Sequence, residues 1–171
     1  RDILEFRRGM KDDTFNWRVD FPKPLSPRHM RMEVPERIVH TGEVLTPLDE
    51  DAAREAVRTL KKKGVEAIAV CFLFSFLHPD HEQRVGEISR EEMPDAFISL
   101  SCQVSPQVRE YERISTTALD AYIGPRLKKY LTSLDGSLRE IGFEGTFLIM
   151  QSNGGVQSWR EAISRPVTCI S

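Results

Sequence analysis

From residue 49 onward, apolar and polar positions fall into two alternating rhythms. Ala53, Val57 and Leu60 recur at helical spacing behind Asp49, a predicted N-cap, with Glu50 and Asp51 suited to the positive end of the helix dipole. Lys61, Lys62 and Lys63 suit the other end, and Gly64 is predicted to stop the helix. "VEAIAVCFLFSF" is almost continuously apolar, which predicts a central strand covered on both faces. His78-Pro79 opens a second helix running to about Glu92, and "AFISLS" predicts a second strand. Ser105 and Pro106 predict the start of a third helix with Val108, Tyr111, Leu119 and Tyr122 as its stripe; Gly124-Pro125 should break or kink it. Leu127, Leu131, Leu134, Leu138 and Ile141 define a further amphipathic stretch ended by Gly142, and "GTFLIMQ" predicts a third buried strand. The order implies an α/β layer with partly parallel strands.

Residues 1–47 lack this rhythm. Pro22, Pro24, Pro27, Pro35 and Pro47 remove amide donors and fix φ, so long helices are excluded there. "MRMEVPERIVHTGEVLTPLD" reads as short strands around a Thr41-Gly42 turn. The organisation is one α/β unit over 1–171, irregular with short strands over 1–47 and helix–strand alternating over 48–171. No internal repeat is visible.

Composition narrows the function classes. With 171 residues, 40% hydrophobic and 29% charged, the chain has the balance of a globular domain with its own core. A net charge of -2 gives no basic field, so nucleic acid is not an expected partner. The longest apolar run, Ala67–Phe76, is too short to span a bilayer, and no membrane partner is expected. Cys71, Cys102 and Cys169 lie far apart without a C-x-x-C and read as reduced thiols, as in a cytoplasmic protein.

Two stretches carry candidate chemistry. Ser152, Asn153, Gly154 and Gly155 follow an apolar run, where ligands of open α/β sheets tend to sit. Paired glycines allow close backbone approach, and Ser and Asn offer short hydrogen-bonding groups; the same residues also make a tight turn. In "REYERISTT", Glu112, Arg113, Thr116 and Thr117 could line a polar cleft, or the segment could be a solvated helix face. "HPDHE" places His78, His81 and Glu82 at ligand-like spacing, but helix capping accounts for the segment, and no metal is assigned. No phosphate-cradling glycine loop, zinc-protease motif or nucleophile elbow is present, and no catalytic residue can be named.

Four stretches together go further: "EVPERIVHTGEVLTPLDE", "GVEAIAVCFLFSFLHPDHE", "ISLSCQVSPQVREYERISTTALDAYIGP" and "LIMQSNGGVQS". In this order they resemble the hydantoinase A / 5-oxoprolinase family, which includes ATP-dependent N-methylhydantoinases and subunits of acetone and acetophenone carboxylases. The resemblance implies a partial actin-like, ribonuclease-H-type ATPase fold with a mixed sheet and flanking helices. It implies ATP and Mg²⁺ as cofactors of an intact parent, which phosphorylates an amide or carbonyl oxygen to drive cyclic-amide ring opening. It also implies a hydantoinase B-type partner subunit or domain, and a cyclic amide or ketone as the small-molecule substrate. The family's acidic, glycine- and threonine-rich phosphate loops would fall before Arg1 and after Ser171. The chain is therefore expected to be an internal piece that neither holds ATP tightly nor acts alone. His78 and Asp120 stand where the family commonly has Asn. "RDILEFRRGM" and "CFLFSF" lean toward a ketone-carboxylase subunit, the alternative enzyme reading. A noncatalytic domain docking a partner through the Leu127–Ile141 face is the alternative outside enzymology.

Overall fold

Two short parallel strands, β3 (Ala67–Val70) and β4 (Phe97–Leu100), form the centre of a computed structural model that describes residues 1–9, 15–18 and 22–170. They pair in register from Ala67 opposite Phe97 to Val70 opposite Leu100. Ahead of them come a short α1 (Ile3–Phe6), the antiparallel pair β1 (Arg37–Ile38) and β2 (Val44–Thr46), and α2 (Glu50–Lys62). The strands are connected by α3 (Asp80–Glu92), so the centre is a strand–helix–strand unit, as the alternating rhythm predicts. One face is closed by α2 and α3: Ala53, Val57, Val85 and Ile88 pack with Ile68, Val70 and Leu100. Ile88 is fully buried, a placement that contributes roughly 1.5–3 kcal/mol for a side chain of its size.

The α2 signals translate directly. Asp49 Oδ1 accepts the Ala52 N–H at 2.8 Å, Glu50 and Asp51 sit in the first turn, and Lys61 and Lys62 in the last. The predicted hairpin is also present, with Gly42 at φ +90° in its turn. A Cβ at Gly42 would come within 2.8 Å of the His78 ring, so the turn closes directly onto α3's leading loop.

The other sheet face meets α5 (Glu110–Glu140), one helix of 31 residues. Here the structure corrects three expectations. Ser105-Pro106 does not start this helix; a short α4 (Ser101–Val104) follows β4, and α5 begins only after Arg109. Gly124-Pro125 does not break it, because Pro125 lies inside the continuous helix. Gly124 instead lets α5 settle onto β4: a Cβ there would lie 2.4 Å from the Phe97 ring. Of the predicted leucine face, Leu131 is buried, Leu127, Leu134 and Leu138 are partly covered, and Ile141 is 80% exposed.

Two apolar runs also differ from expectation. "VEAIAVCFLFSF" is a strand only over Ala67–Val70; Phe74 takes φ +58° in a turn that leads into α3. "GTFLIMQ" is not a third buried strand. β5 (Leu148–Met150) pairs antiparallel with β6 (Val156–Ser158), and Leu148 and Met150 are 50% and 72% exposed. The glycine-paired turn brings the chain straight back into an antiparallel partner, with no crossover helix between the two strands. The chain continues through α6 (Trp159–Ser164), held by a Ser158–Glu161 capping box, into a 3-10 turn at Pro166–Cys169. No helix among the described residues is long and apolar enough to cross a membrane.

Candidate functional site

The carboxyl ends of β3 and β4 open onto a buried polar chain. Glu82, on the first turn of α3 and fully buried, receives three hydrogen bonds. Its Oε1 accepts the Phe72 N–H at 2.9 Å and the Ser101 hydroxyl at 2.8 Å; its Oε2 accepts the Cys102 N–H at 2.6 Å. Phe72 lies just beyond β3, and Ser101 and Cys102 just beyond β4. One carboxylate thus ties together the places where both strands leave the sheet.

From Glu82 the chain runs to a cation. The Ser101 and Ser75 hydroxyls are 3.1 Å apart, and Arg113 donates from Nη1 to Ser75 Oγ at 3.3 Å and from Nη2 to the Phe72 carbonyl at 2.8 Å. Ser101 spends its proton on Glu82, and Ser75 Oγ lies 3.1 Å from two acceptors for its single proton, the Phe72 carbonyl and Ser101 Oγ, so Arg113, Ser75, Ser101 and Glu82 form one connected network. Arg113 is 1% exposed; its guanidinium carbon lies 5.3 Å from the Phe76 ring centre, and its Nε has no partner. A desolvated guanidinium held by two neutral oxygens is costly, and the unpartnered Nε–H adds to that cost.

The four residues singled out in "REYERISTT" divide between interior and rim. Arg113 and Thr117 are buried, and Thr117 Oγ1 donates to the Arg113 carbonyl at 2.7 Å. Glu112 and Thr116 are partly covered. Glu112 pairs with Arg8; its own N–H at the helix start, together with Arg8, holds its carboxyl below the usual range. One turn on, Asp120 is buried and accepts the Ser99 hydroxyl at 2.7 Å and the Val167 N–H at 2.9 Å. Burial pushes its pKa up despite those two bonds.

Ser152, Asn153, Gly154 and Gly155 form the turn between β5 and β6, exposed throughout. Gly154 has φ +86°, which explains a glycine there. The loop's backbone donors turn inward: Ser152 N–H to the Thr168 carbonyl at 3.0 Å, Gly154 N–H to the Gln151 carbonyl at 3.0 Å, and Gly155 N–H to Asn153 Oδ1 at 2.9 Å. Through Thr168 the loop is tethered to the 3-10 turn, whose Val167 is anchored on Asp120. The two predicted clusters are therefore linked through this relay of anchors, not by direct contact.

The "HPDHE" side chains serve three separate contacts. His81 Nδ1 lies 2.9 Å from Glu36 Oε2, His78 abuts the β1–β2 turn, and Glu82 belongs to the strand-end cap. No group of three or more His, Cys, Asp or Glu able to hold a metal occurs among the described residues. Cys71, Cys102 and Cys169 are free thiols, and burial beside Glu82 pushes Cys71 and Cys102 up to about 12. Both stay protonated and poorly nucleophilic near neutrality.

Sequence reasoning treated Glu82 only as a possible metal ligand and passed over Ser75, Ser99 and Ser101. Their partners lie 19 to 38 residues away, beyond any local periodicity. A charged residue at a core-facing helix position, as Glu82 is beside Val85 and Ser89, is the signal that could have exposed the chain.

Comparison with known proteins gives a consistent result. The family model described as "Hydantoinase/oxoprolinase N-terminal region" matches residues 1–93, and that described as "Hydantoinase/oxoprolinase" matches 113–171. The caprolactamase subunit alpha of Pseudomonas jessenii is 37% identical over 172 residues, covering 99% of this chain and 25% of the relative. The crystal structure of the ATP-dependent caprolactamase from that organism superposes with a TM-score of 0.84 at 33% identity, over 98% of this chain and 25% of its own. A nucleotide-free acetone carboxylase structure gives 0.77 at 30% identity, over 88% of this chain and 22% of its own. The chain thus spans about a quarter of the length of the proteins it resembles.

Proposed function

Since the chain belongs to the hydantoinase/oxoprolinase family, we propose that the polypeptide carrying it is an ATP-dependent enzyme that opens a cyclic amide. The observation that carries this reading is the near-complete superposition on the ATP-dependent caprolactamase. Amides resist hydrolysis because nitrogen donates into the carbonyl and leaves poorly. Phosphorylating the amide oxygen makes the carbon more electrophilic and turns that oxygen into a leaving group. Water adds to that carbon, the ring C–N bond breaks as nitrogen takes a proton, and a second water displaces phosphate from the resulting acyl phosphate, so one ATP and two waters yield the ring-opened amino acid, ADP and phosphate.

Among the described residues no set of groups fits a metal–triphosphate. The Ser152–Gly155 turn spends its Ser152, Gly154 and Gly155 amides internally, and the described residues hold no carboxylate cage. No phosphoryl-transfer step is routed through them. Their role in the proposal is a rigid wall: Arg113, Ser75, Ser101 and Glu82 lock the strand ends, while Thr116, Asn153 and the Arg8-paired Glu112 sit at its rim. Asn153 would contact substrate or nucleotide through its side-chain amide. Mg²⁺ would be bound elsewhere in the polypeptide, which we place in the cytoplasm together with a second, hydantoinase B-type subunit. The relative's designation as a subunit supports that partner.

The likeness to acetone carboxylase supports a second reading, ATP-driven carboxylation of a ketone. One assay separates them. The full polypeptide, co-expressed with its partner subunit, is given ATP and Mg²⁺ with a lactam, hydantoin or 5-oxoproline, or with a ketone and bicarbonate. ADP release stimulated by the cyclic amide supports the first reading; stimulation only by ketone plus bicarbonate replaces it with the second. Stimulation by neither refutes both.

A further inference from the structure

The exposed turn between β5 and β6 carries a chemically reactive pair, Asn153-Gly154. Asn16 and Asn153 are the two asparagines of the sequence, and both are exposed. Each accepts, at Oδ1, the main-chain N–H two residues on: Arg18 at 3.1 Å and Gly155 at 2.9 Å. That N–H points at the atom on which negative charge develops when the side-chain amide carbon is attacked, as in an oxyanion hole. What differs is the residue that supplies the attacking nitrogen. Asn16 is followed by Trp17, whose side chain crowds its own amide. Asn153 is followed by Gly154, which has no Cβ, and a Cβ built there would meet nothing within 4 Å, so the surroundings are open. The Gly154 N–H donates to the Gln151 carbonyl at 3.0 Å, a bond at a solvent-exposed turn tip, where local opening costs little. The other Asx–Gly pair of the sequence, Asp135-Gly136, lies inside α5, where the helix's own hydrogen bonds hold it.

We propose that Asn153-Gly154 is a site of spontaneous covalent modification, in which Asn153 passes through a cyclic imide to aspartate and isoaspartate. The Gly154 nitrogen gives up its proton to solvent and bonds to Asn153 Cγ. The bond from Cγ to the side-chain nitrogen then breaks, and that nitrogen takes a proton from water and leaves as ammonia. Water opens the imide in one of two ways. Attack at Cγ breaks its bond to the Gly154 nitrogen and leaves aspartate. Attack at the main-chain carbonyl leaves isoaspartate, with the peptide running through the former side chain. Solvent water is the sole co-reactant, and nothing is oxidised or reduced. Either product adds a negative charge to the turn, and isoaspartate also lengthens the main chain between β5 and β6 by one methylene. The inference is independent of which reaction the enzyme performs.

Peptide mass spectrometry on the full-length polypeptide, held folded at mildly alkaline pH and sampled over days, tests it. The expected result is that the Asn153 peptide gains about one mass unit, at a rate at least about tenfold that of the Asn16 peptide, and yields both aspartate and isoaspartate. The rate should rise with pH, because the attacking nitrogen must lose its proton. A Gly154→Ala substitution, whose Cβ crowds that nitrogen, should slow the conversion at least about tenfold. Since φ is +86° at this position, the substitution also strains the turn, and the comparison of Asn153 with Asn16 in the unsubstituted polypeptide is the deciding one. Conversion of Asn153 no faster than Asn16, or to aspartate alone, overturns the proposal. Conversion only after unfolding in urea overturns it equally, because the native turn would then protect the pair.

Discussion

Replacing Glu82 with Gln asks whether the strand ends are held by a carboxylate specifically. The substitution keeps size and shape and changes one acceptor oxygen into a donor. In the structure both oxygens are engaged: Oε1 by Phe72 N–H at 2.9 Å and Ser101 O–H at 2.8 Å, Oε2 by Cys102 N–H at 2.6 Å. With Gln oriented to keep the first pair, its NH₂ faces the Cys102 N–H; flipped, it faces the Phe72 N–H. Either way one buried main-chain donor loses its acceptor, at about 1–3 kcal/mol, and the remaining bonds lose their charge assistance. Relief of the buried charge works in the opposite direction. Three short bonds to one carboxylate outweigh that relief, and the net expectation is a loss of about 2–3 kcal/mol. For a domain of this size, that lowers Tm by roughly 4–12 °C. Urea denaturation followed by circular dichroism measures it, with the m-value as the check that compactness is unchanged. A Glu82→Gln protein within about 0.5 kcal/mol of the parent would refute the reasoning, because desolvation would then cancel the hydrogen bonds.

Asp120→Asn should hold or raise stability near neutrality. Asn Oδ1 can still accept the Val167 N–H, its NH₂ can donate to Ser99 Oγ, and the desolvated charge disappears. Burial raises the folded-state pKa of Asp120, so its favourable contribution is present in acid and is lost as pH rises through that value; the variant should lack this component of the stability–pH profile. Gly124→Ala should destabilise by about 1–3 kcal/mol although alanine favours helix by about 1 kcal/mol, since its Cβ would meet the Phe97 ring at 2.4 Å; Phe97→Leu in the same chain should restore part of the loss in denaturant melts. Asn153→Ala removes the acceptor of the Gly155 N–H, an exposed bond whose loss should lower stability by about 0.5–1 kcal/mol. In the full enzyme the same change should raise KM for substrate or ATP at least severalfold, and wild-type kinetics would leave only a turn role for the loop.

Legibility in the sequence followed the range of the interactions involved. α2, with its Asp49 cap and terminal lysines, and the β1–β2 hairpin were readable because their signals lie within a few residues. Pro125 misled because intrinsic helix-breaking is local, whereas α5 is held along its length by β3, β4 and the 3-10 turn at Pro166–Cys169. β5 misled because three apolar residues carry no mark distinguishing a buried strand from an exposed hairpin. Of the candidate site, Arg113 and Thr117 read in the sequence as residues that could line a polar cleft, and the structure places both inside the wall. Glu82, Ser75 and Ser101 form one network only after folding brings 71–113 together, and that assembly leaves no periodic trace.

The central claim, that ATP activates the amide oxygen of a cyclic substrate in the polypeptide carrying this chain, is tested most directly by following that oxygen. A lactam labelled with ¹⁸O at its carbonyl is turned over by the full enzyme with ATP, and the products are weighed by mass spectrometry. The account predicts one ¹⁸O in the released phosphate and two unlabelled oxygens from water in the product carboxylate. Retention of ¹⁸O in the carboxylate with unlabelled phosphate would contradict it.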